Sequence, residues 1–268
     1  NFTKRILSGI VYVAILIFSI LFHKISFLAL FFIVMLFCLY EFLKMIQLKS
    51  VFPYLIGTSA FIFGNILNVE DVPSKMILRY AGVALFLTIF SSFVWILFAK
   101  KEEIVNHLGK IFLSVIYIII PFILIAQIPF LNNDPQYAST AILGVFLLIW
   151  CNDSFAYLVG KNFGKIKLLK HISPNKTVEG FIGGLVACLI GGFVIANYFT
   201  ELTVIQWVVI SLLVSTFGVL GDLIESMFKR QAGIKDSSNL IPGHGGFLDR
   251  FDSVIFPAPF IFIYLQFI

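Results

Sequence analysis

Charge is what this chain has least of. Of its 268 residues 12% are charged, about half of the roughly 25% usual in a soluble domain, and the mean hydropathy is +1.02. No stretch is left over that would make a water-soluble domain of ordinary size. Cysteine is equally scarce: Cys38, Cys151 and Cys188 all lie inside apolar runs with no CxxC spacing, which excludes a disulfide framework and a zinc site. The period-two alternation of a membrane barrel strand is missing, and so is any internal repeat. No small-residue cleavage site follows the first apolar run, Ile6 to Phe22, although Lys4 and Arg5 precede it as in a signal peptide. That run therefore reads as a retained first helix.

What remains is apolar length. Hydrophobic residues make up 60% of the chain, and runs of the roughly 20 residues that cross a hydrocarbon core as helix recur almost throughout. The expected spans are 6–22, 26–43, 51–68, 80–99, 111–130, 138–160, 178–199, 204–225 and 253–268. All should be helical, because lipid offers backbone groups no water and a helix satisfies them within one segment. The fold class is thus all-α, a polytopic integral membrane protein with about nine transmembrane helices.

Orientation follows from the basic residues. With the amino terminus in the cytoplasm, 16 of the 19 fall inside and only Lys24, Lys75 and Arg79 outside, as the positive-inside rule expects. The carboxyl terminus then faces outward. The net charge of +5 reports this topology and an attraction to anionic headgroups. It does not argue for nucleic acid, since the 32 phenylalanines sit in lipid-length runs and build no aromatic platform.

The chain divides near residue 140. Residues 1–140 carry short loops with ordinary anchoring charges and read as scaffold. In residues 141–268, acidic side chains stand at or inside helix ends, and the inner loops become long, basic and glycine-bearing.

Asp222, Glu225 and Lys229 are spaced to share one helix face. Asp249 and Asp252 stand three apart at the entrance to the last span. Two helix ends bearing carboxylates make a cage for a hard cation such as Mg²⁺. The plain alternative is charge neutralisation, with Glu225 paired to Lys229 and Asp249 to a neighbouring arginine. For Asp222 the plain reading is weaker, because an ionisable group at membrane depth costs at least roughly 2.5 kcal/mol. Lys229, Arg230 and Lys235 suit phosphate oxygens. In residues 243–246, GHGG, the glycines let backbone N–H groups approach an anion, while His244 is open to phosphate bonding, proton transfer or a structural hydrogen bond.

A second group includes Asn152 and Asp153 in mid-run, Tyr157 one turn on, and Gly160 and Gly164, whose spacing fits close helix packing. The following loop closes with ISPNKTVEG, residues 172–180, where Lys176 or Thr177 can meet an anion at a helix start and Glu179 suits the first turn.

In these residues the chain resembles the phosphatidate cytidylyltransferases, or CDP-diacylglycerol synthases. The signature is Ser226, Lys229, Arg230, Lys235, Asp236, His244, Gly245, Gly246, Asp249, Arg250 and Asp252. A second block is similar at Asn152, Asp153, Ala156, Tyr157, Gly160, Phe163, Gly164 and Lys165, then SPNKTVEG from Ser173, with Asn175 and Val178 departing from the commoner lysine and tryptophan. The resemblance implies condensation of CTP with phosphatidic acid to CDP-diacylglycerol and pyrophosphate, with Mg²⁺, in a homodimeric enzyme of nine helices whose site faces the cytoplasm from the inner membrane. It implies Asp222, Asp249 and Asp153 as cation ligands, with room for a second cation, K⁺ or another Mg²⁺, and Asp252 orienting a ligand or the loop. Lys176, Lys229, Arg230 and Lys235 would clamp phosphates, and Ser173, Thr177, Gly245 and Gly246 would line the nucleotide.

Two rivals stand beside it. Another CTP-using lipid enzyme, such as a polyprenol or diacylglycerol kinase, would yield a phosphorylated lipid. An ion-coupled transporter would use Asp153 and Asp222 as a pathway, but it calls for polar residues on both faces, and the outer loops are nearly featureless.

Overall fold

Long apolar helices form the frame. The computed structural model describes residues 2–66, 104–130 and 137–267. Among these, Lys24–Met45, Val105–Phe130, Ser139–Phe163, Val178–Ala196 and Val204–Gln231 are each long and apolar enough to cross a membrane, and Leu7–Phe22 is a shorter apolar helix. The chain is an all-α polytopic membrane protein. The expected span 80–99 lies outside the described residues.

The elements run in this order: α1 (Phe2–Phe22), α2 (Lys24–Met45), α3 (Phe52–Phe61), α4 (Ile104–Ser114), α5 (Ile120–Gln127), α6 (Ser139–Phe163), β1 (Lys167–Leu169), β2 (Ser173–Thr177), α7 (Val178–Ala196), α8 (Val204–Gln231), α9 (Leu248–Ile255) and α10 (Ala258–Gln266). The strands form an antiparallel hairpin between α6 and α7 with Lys167 opposite Thr177.

Three irregularities have local causes. A wide turn, Val115–Ile119, joins α4 to α5 just before Pro121, whose ring crowds the preceding turn and whose nitrogen has no proton to donate. A second wide turn, Ile62–Ile66, continues α3, and Gln127 Nε2 donates to the Gly64 carbonyl within it at 3.0 Å. The last span, expected as one helix over 253–268, is divided: α9 stops at Ile255 and α10 starts after Pro257. In the other direction, α8 runs six residues beyond the expected end at Glu225, to Gln231.

The ends of the helices sort into two sets. Ser8 of α1 meets His244 in the loop before α9. At the other end, Tyr137 Oη donates to the Ile20 carbonyl at 2.8 Å, and Thr140 bonds to Glu201. Between them the core is aromatic. The Phe251 ring of α9 lies 6.1 Å from Tyr12, 6.2 Å from Phe31, 5.8 Å from Phe122 and 6.3 Å from Phe146. One side chain thus pegs α9 against α1, α2, α5 and α6, and its neighbours Asp249 and Asp252 are fixed with it.

Helix α7 packs closely on α6 because small residues face each other. A Cβ added at Gly184 would lie 2.8 Å from Asn152 Oδ1, and one at Gly180 would lie 2.7 Å from the Ala156 carbonyl and 3.1 Å from Gly160. The packing role expected of Gly160 is therefore seen. Asn152 in turn accepts from Ser215 of α8 at 2.9 Å, so α6, α7 and α8 are tied at one level.

Candidate functional site

The last three turns of α8 present Asp222, Glu225, Ser226 and Lys229 along one face, as the spacing requires. Asp222 accepts from Ser226 Oγ at 3.2 Å through Oδ1 and pairs with Lys176 of β2 through Oδ2. Asp252 joins them from α9, where it also accepts from the Ser253 N–H at 2.6 Å. One carboxylate oxygen each from Asp222, Glu225 and Asp252 lies within 4.8 Å of the others. Glu225 is fully buried, and beyond its ion pair with Lys229 neither of its oxygens accepts a hydrogen bond.

Three carboxylates so close repel one another strongly where water is sparse. Lys176 and Lys229 offset part of that charge. The donor set is all oxygen and keeps buried lone pairs unused, which fits a divalent cation of the hard class.

Asp249 stands apart from this group. Its Oδ1 accepts from Lys229 Nζ at 2.8 Å, and its Oδ2 accepts from the Gly246 N–H at 2.7 Å and the Ser237 N–H at 3.0 Å. Burial pushes its carboxyl up, but the Gly246 N–H and the Lys229 ammonium outweigh that and hold it below the usual carboxylate range. Lys229 bridges Asp249 to Glu225. The pairing of Glu225 with Lys229, considered from the sequence, is present; the partner of Asp249 is this lysine.

The loop between α8 and α9 is shaped by two glycines and a carboxylate from far away in sequence. Gly245 has a φ of 81°, which a Cβ makes costly, and its carbonyl accepts from the Ile241 N–H at 2.9 Å. At Gly246 any side chain would collide with the Ser237 hydroxyl and the Glu41 carboxylate. Glu41 lies in α2 and is 0% exposed. It accepts from Ser237 Oγ at 2.7 Å, Ser238 Oγ at 2.6 Å, and the backbone N–H groups of Phe247 at 3.0 Å and Leu248 at 2.8 Å. Sequence reasoning missed Glu41. The available signal was a lone carboxylate inside an apolar run, the same cue that singled out Asp153 and Asp222.

The other expected residues distribute as follows. Asp153 accepts from Asn152 Nδ2 at 3.2 Å, one helix away from Asp222. Arg230 is exposed and donates to the carbonyls of Ile172 at 3.5 Å and Ile234 at 3.3 Å, linking α8 to the hairpin and the loop. Lys235, Asp236 and Arg250 are exposed. His244 Nδ1 is 2.8 Å from Ser8 Oγ, whose hydroxyl donates to the Pro242 carbonyl at 2.9 Å, so this ring fastens α1 to the loop. Thr177 caps α7 by accepting from the Gly180 N–H at 3.1 Å. Glu179 in the first turn accepts from the Ile166 N–H at 3.1 Å. Ser173 opens β2, three residues before Lys176.

Comparison with known proteins gives one consistent result. Residues 3–268 match the cytidylyltransferase family. A protein of Bacillus subtilis named phosphatidate cytidylyltransferase is 38% identical over 277 residues, covering 98% of this chain and 97% of that protein. Proteins of the same name from Staphylococcus aureus and Staphylococcus saprophyticus are 52% and 50% identical over 126 residues, covering 46% of this chain and 48% of theirs.

Proposed function

The chain belongs to the cytidylyltransferase family, and we propose that it is a phosphatidate cytidylyltransferase, condensing CTP with phosphatidic acid to give CDP-diacylglycerol and pyrophosphate. The observation that carries the reading is the meeting of Asp222, Glu225 and Asp252 within 4.8 Å, beside Lys176 and in the last turns of the lipid-length helix α8. A triphosphate held by a metal ion and a lipid phosphate both need such a place. The site faces the cytoplasm, where CTP is found, from a bacterial inner membrane, and the working unit is a homodimer with residues 141–268 supplying most of the site.

Asp222, Glu225 and Asp252 would hold Mg²⁺, with Asp153 beside them for a second cation. Bound there, the cation neutralises the nucleotide's phosphates and stabilises charge on entering and leaving oxygens. Asp249 keeps Lys229 and the loop in register. Lys176 and Arg230, with exposed Lys235 and Arg250, contact phosphate oxygens. An oxygen of phosphatidic acid attacks the α-phosphorus of CTP in line, the bond to that oxygen forms, and the α–β bridging bond breaks to release pyrophosphate. The attacking phosphate is already ionised, so no side chain has to remove a proton.

The test is transfer of label from α-³²P-CTP to lipid by the purified protein with phosphatidic acid and Mg²⁺. Label in a CMP-containing lipid with release of pyrophosphate is expected. No label in lipid from α-³²P-CTP, together with label passing from γ-³²P-CTP to a polyprenol or diacylglycerol, would assign the chain to a lipid kinase instead. Asp222→Asn should abolish incorporation, and Lys24→Ala, remote from the site, should leave it near the parent level.

A further inference from the structure

We infer that Glu41 is a positioning residue for the reaction: through four hydrogen bonds it fixes the loop before α9, and thereby the Asp249–Lys229 pair, against the Asp222–Glu225–Asp252 group. The inference rests on the proposed cytidylyl transfer and adds to it a group from the scaffold half of the chain.

The geometry is hard to explain as chance burial. A carboxylate at 0% exposure in an apolar helix is expensive unless its lone pairs are filled. An ionised carboxylate offers about four acceptor positions, and here four donors meet it: two serine hydroxyls and two successive backbone N–H groups. Those N–H groups open α9, whose own boundary residue Phe247 supplies no side-chain cap. Glu41 therefore starts α9 at a fixed height, from 207 residues away.

The fixed height is passed on directly. Ser237 Oγ donates to Glu41, and the Ser237 N–H donates to Asp249. Asp249 accepts from Lys229, and Lys229 pairs with Glu225, one of the three converging carboxylates. The chain of contacts is continuous from α2 to the site. Gly246 leaves room for it, since a methyl group there would collide with the Glu41 carboxylate.

Glutamine at this position keeps the shape and loses the function of the group. It offers one oxygen where two are used and turns an amide N–H₂ toward donors. Aspartate keeps the charge but is one methylene short of reaching both the serines and the start of α9. Neither should rescue.

The experiment compares the parent, Glu41→Gln, Glu41→Asp and Ser238→Ala in detergent micelles at saturating Mg²⁺, measuring kcat, KM for CTP and the melting temperature. Displacement of a reacting group by about 1 Å costs on the order of 10²-fold in rate, so Glu41→Gln is expected to lose about that factor, mainly in kcat, in the protein that remains folded. Ser238→Ala, which removes one donor to Glu41 and the acceptor of the Leu240 N–H, should lose severalfold in kcat with little change in melting temperature. A folded Glu41→Gln within twofold of the parent overturns the inference. If Glu41→Gln does not fold, Ser238→Ala decides: a kcat equal to the parent's, with only the melting temperature lowered, makes Glu41 a stabilising cap and overturns it equally. Failure of the parent to transfer label would instead retire the proposed reaction.

Discussion

Lys229 Nζ lies 2.8 Å from Asp249 Oδ1 while also pairing with Glu225, so a single ammonium group joins the last turns of α8 to the first turn of α9. All three side chains are at least largely buried, with Lys229 at 11% and Asp249 at 5% exposure. In that setting the ion pairs are what make the two carboxylates tolerable next to Asp222 and Asp252.

Removing the ammonium should therefore leave uncompensated charge, and breaking a buried pair in this way costs about 3–5 kcal/mol. Lys229→Met is expected to melt well below the parent. Mg²⁺ should recover more of the loss in this variant than it adds to the parent, because the cation then replaces the missing positive charge. Melting curves with Mg²⁺ and with chelator give both numbers. Equal Mg²⁺ effects in the two proteins would mean that Lys229 and the cation do not share these carboxylates.

Much of this arrangement can be read from sequence because it is local. Asp222, Glu225 and Lys229 share a face through helix periodicity alone, and Asp249 and Asp252 follow from the same rule. The division at Pro257 was also open to reading, since proline inside a helical pattern stops or kinks it. Glu41 is different: its partners lie 196 to 207 residues away, and no spacing rule links α2 to a loop that far along the chain. The same distance hides the link between Ser8 and His244. Among the GHGG glycines, expected from the sequence to let an anion approach, Gly246 admits an anion of the protein's own, the Glu41 carboxylate.

Thr177 separates two readings with one hydroxyl. Its Oγ1 accepts from the Gly180 N–H at 3.1 Å and so caps α7, a contact worth about 1 kcal/mol. Thr177→Val should lower the unfolding free energy by about that amount and leave KM for CTP near the parent value, while Thr177→Ser should restore stability. A large rise in KM for CTP in Thr177→Val at unchanged stability would place the hydroxyl on the nucleotide instead.

Gly246→Ala probes the close approach of the loop to α2. The added methyl meets both the Ser237 hydroxyl and the Glu41 carboxylate, and relief requires the start of α9 to move outward. A shift of about 1 Å is enough to cost on the order of 10²-fold in rate. Activity should fall by that order with a modest change in melting temperature. Full activity would show that the loop yields without moving the site.

The aromatic peg carries the converse expectation, a loss of stability first. Phe251 is fully buried and touches rings from α1, α2, α5 and α6, so its truncation empties a space that four helices cannot all close at once. Phe251→Ala should cost about 3–5 kcal/mol. Phe251→Leu, which refills most of the volume, should recover most of it. Because Asp252 follows directly in sequence, the alanine variant should also need more Mg²⁺ to reach half of its own maximal rate, as the third carboxylate loses its fixed position. Melting temperature and Mg²⁺ titration of activity, measured on both variants, test the two effects separately: a destabilised alanine variant with an unchanged Mg²⁺ requirement would show that α9 holds Asp252 in place without the ring.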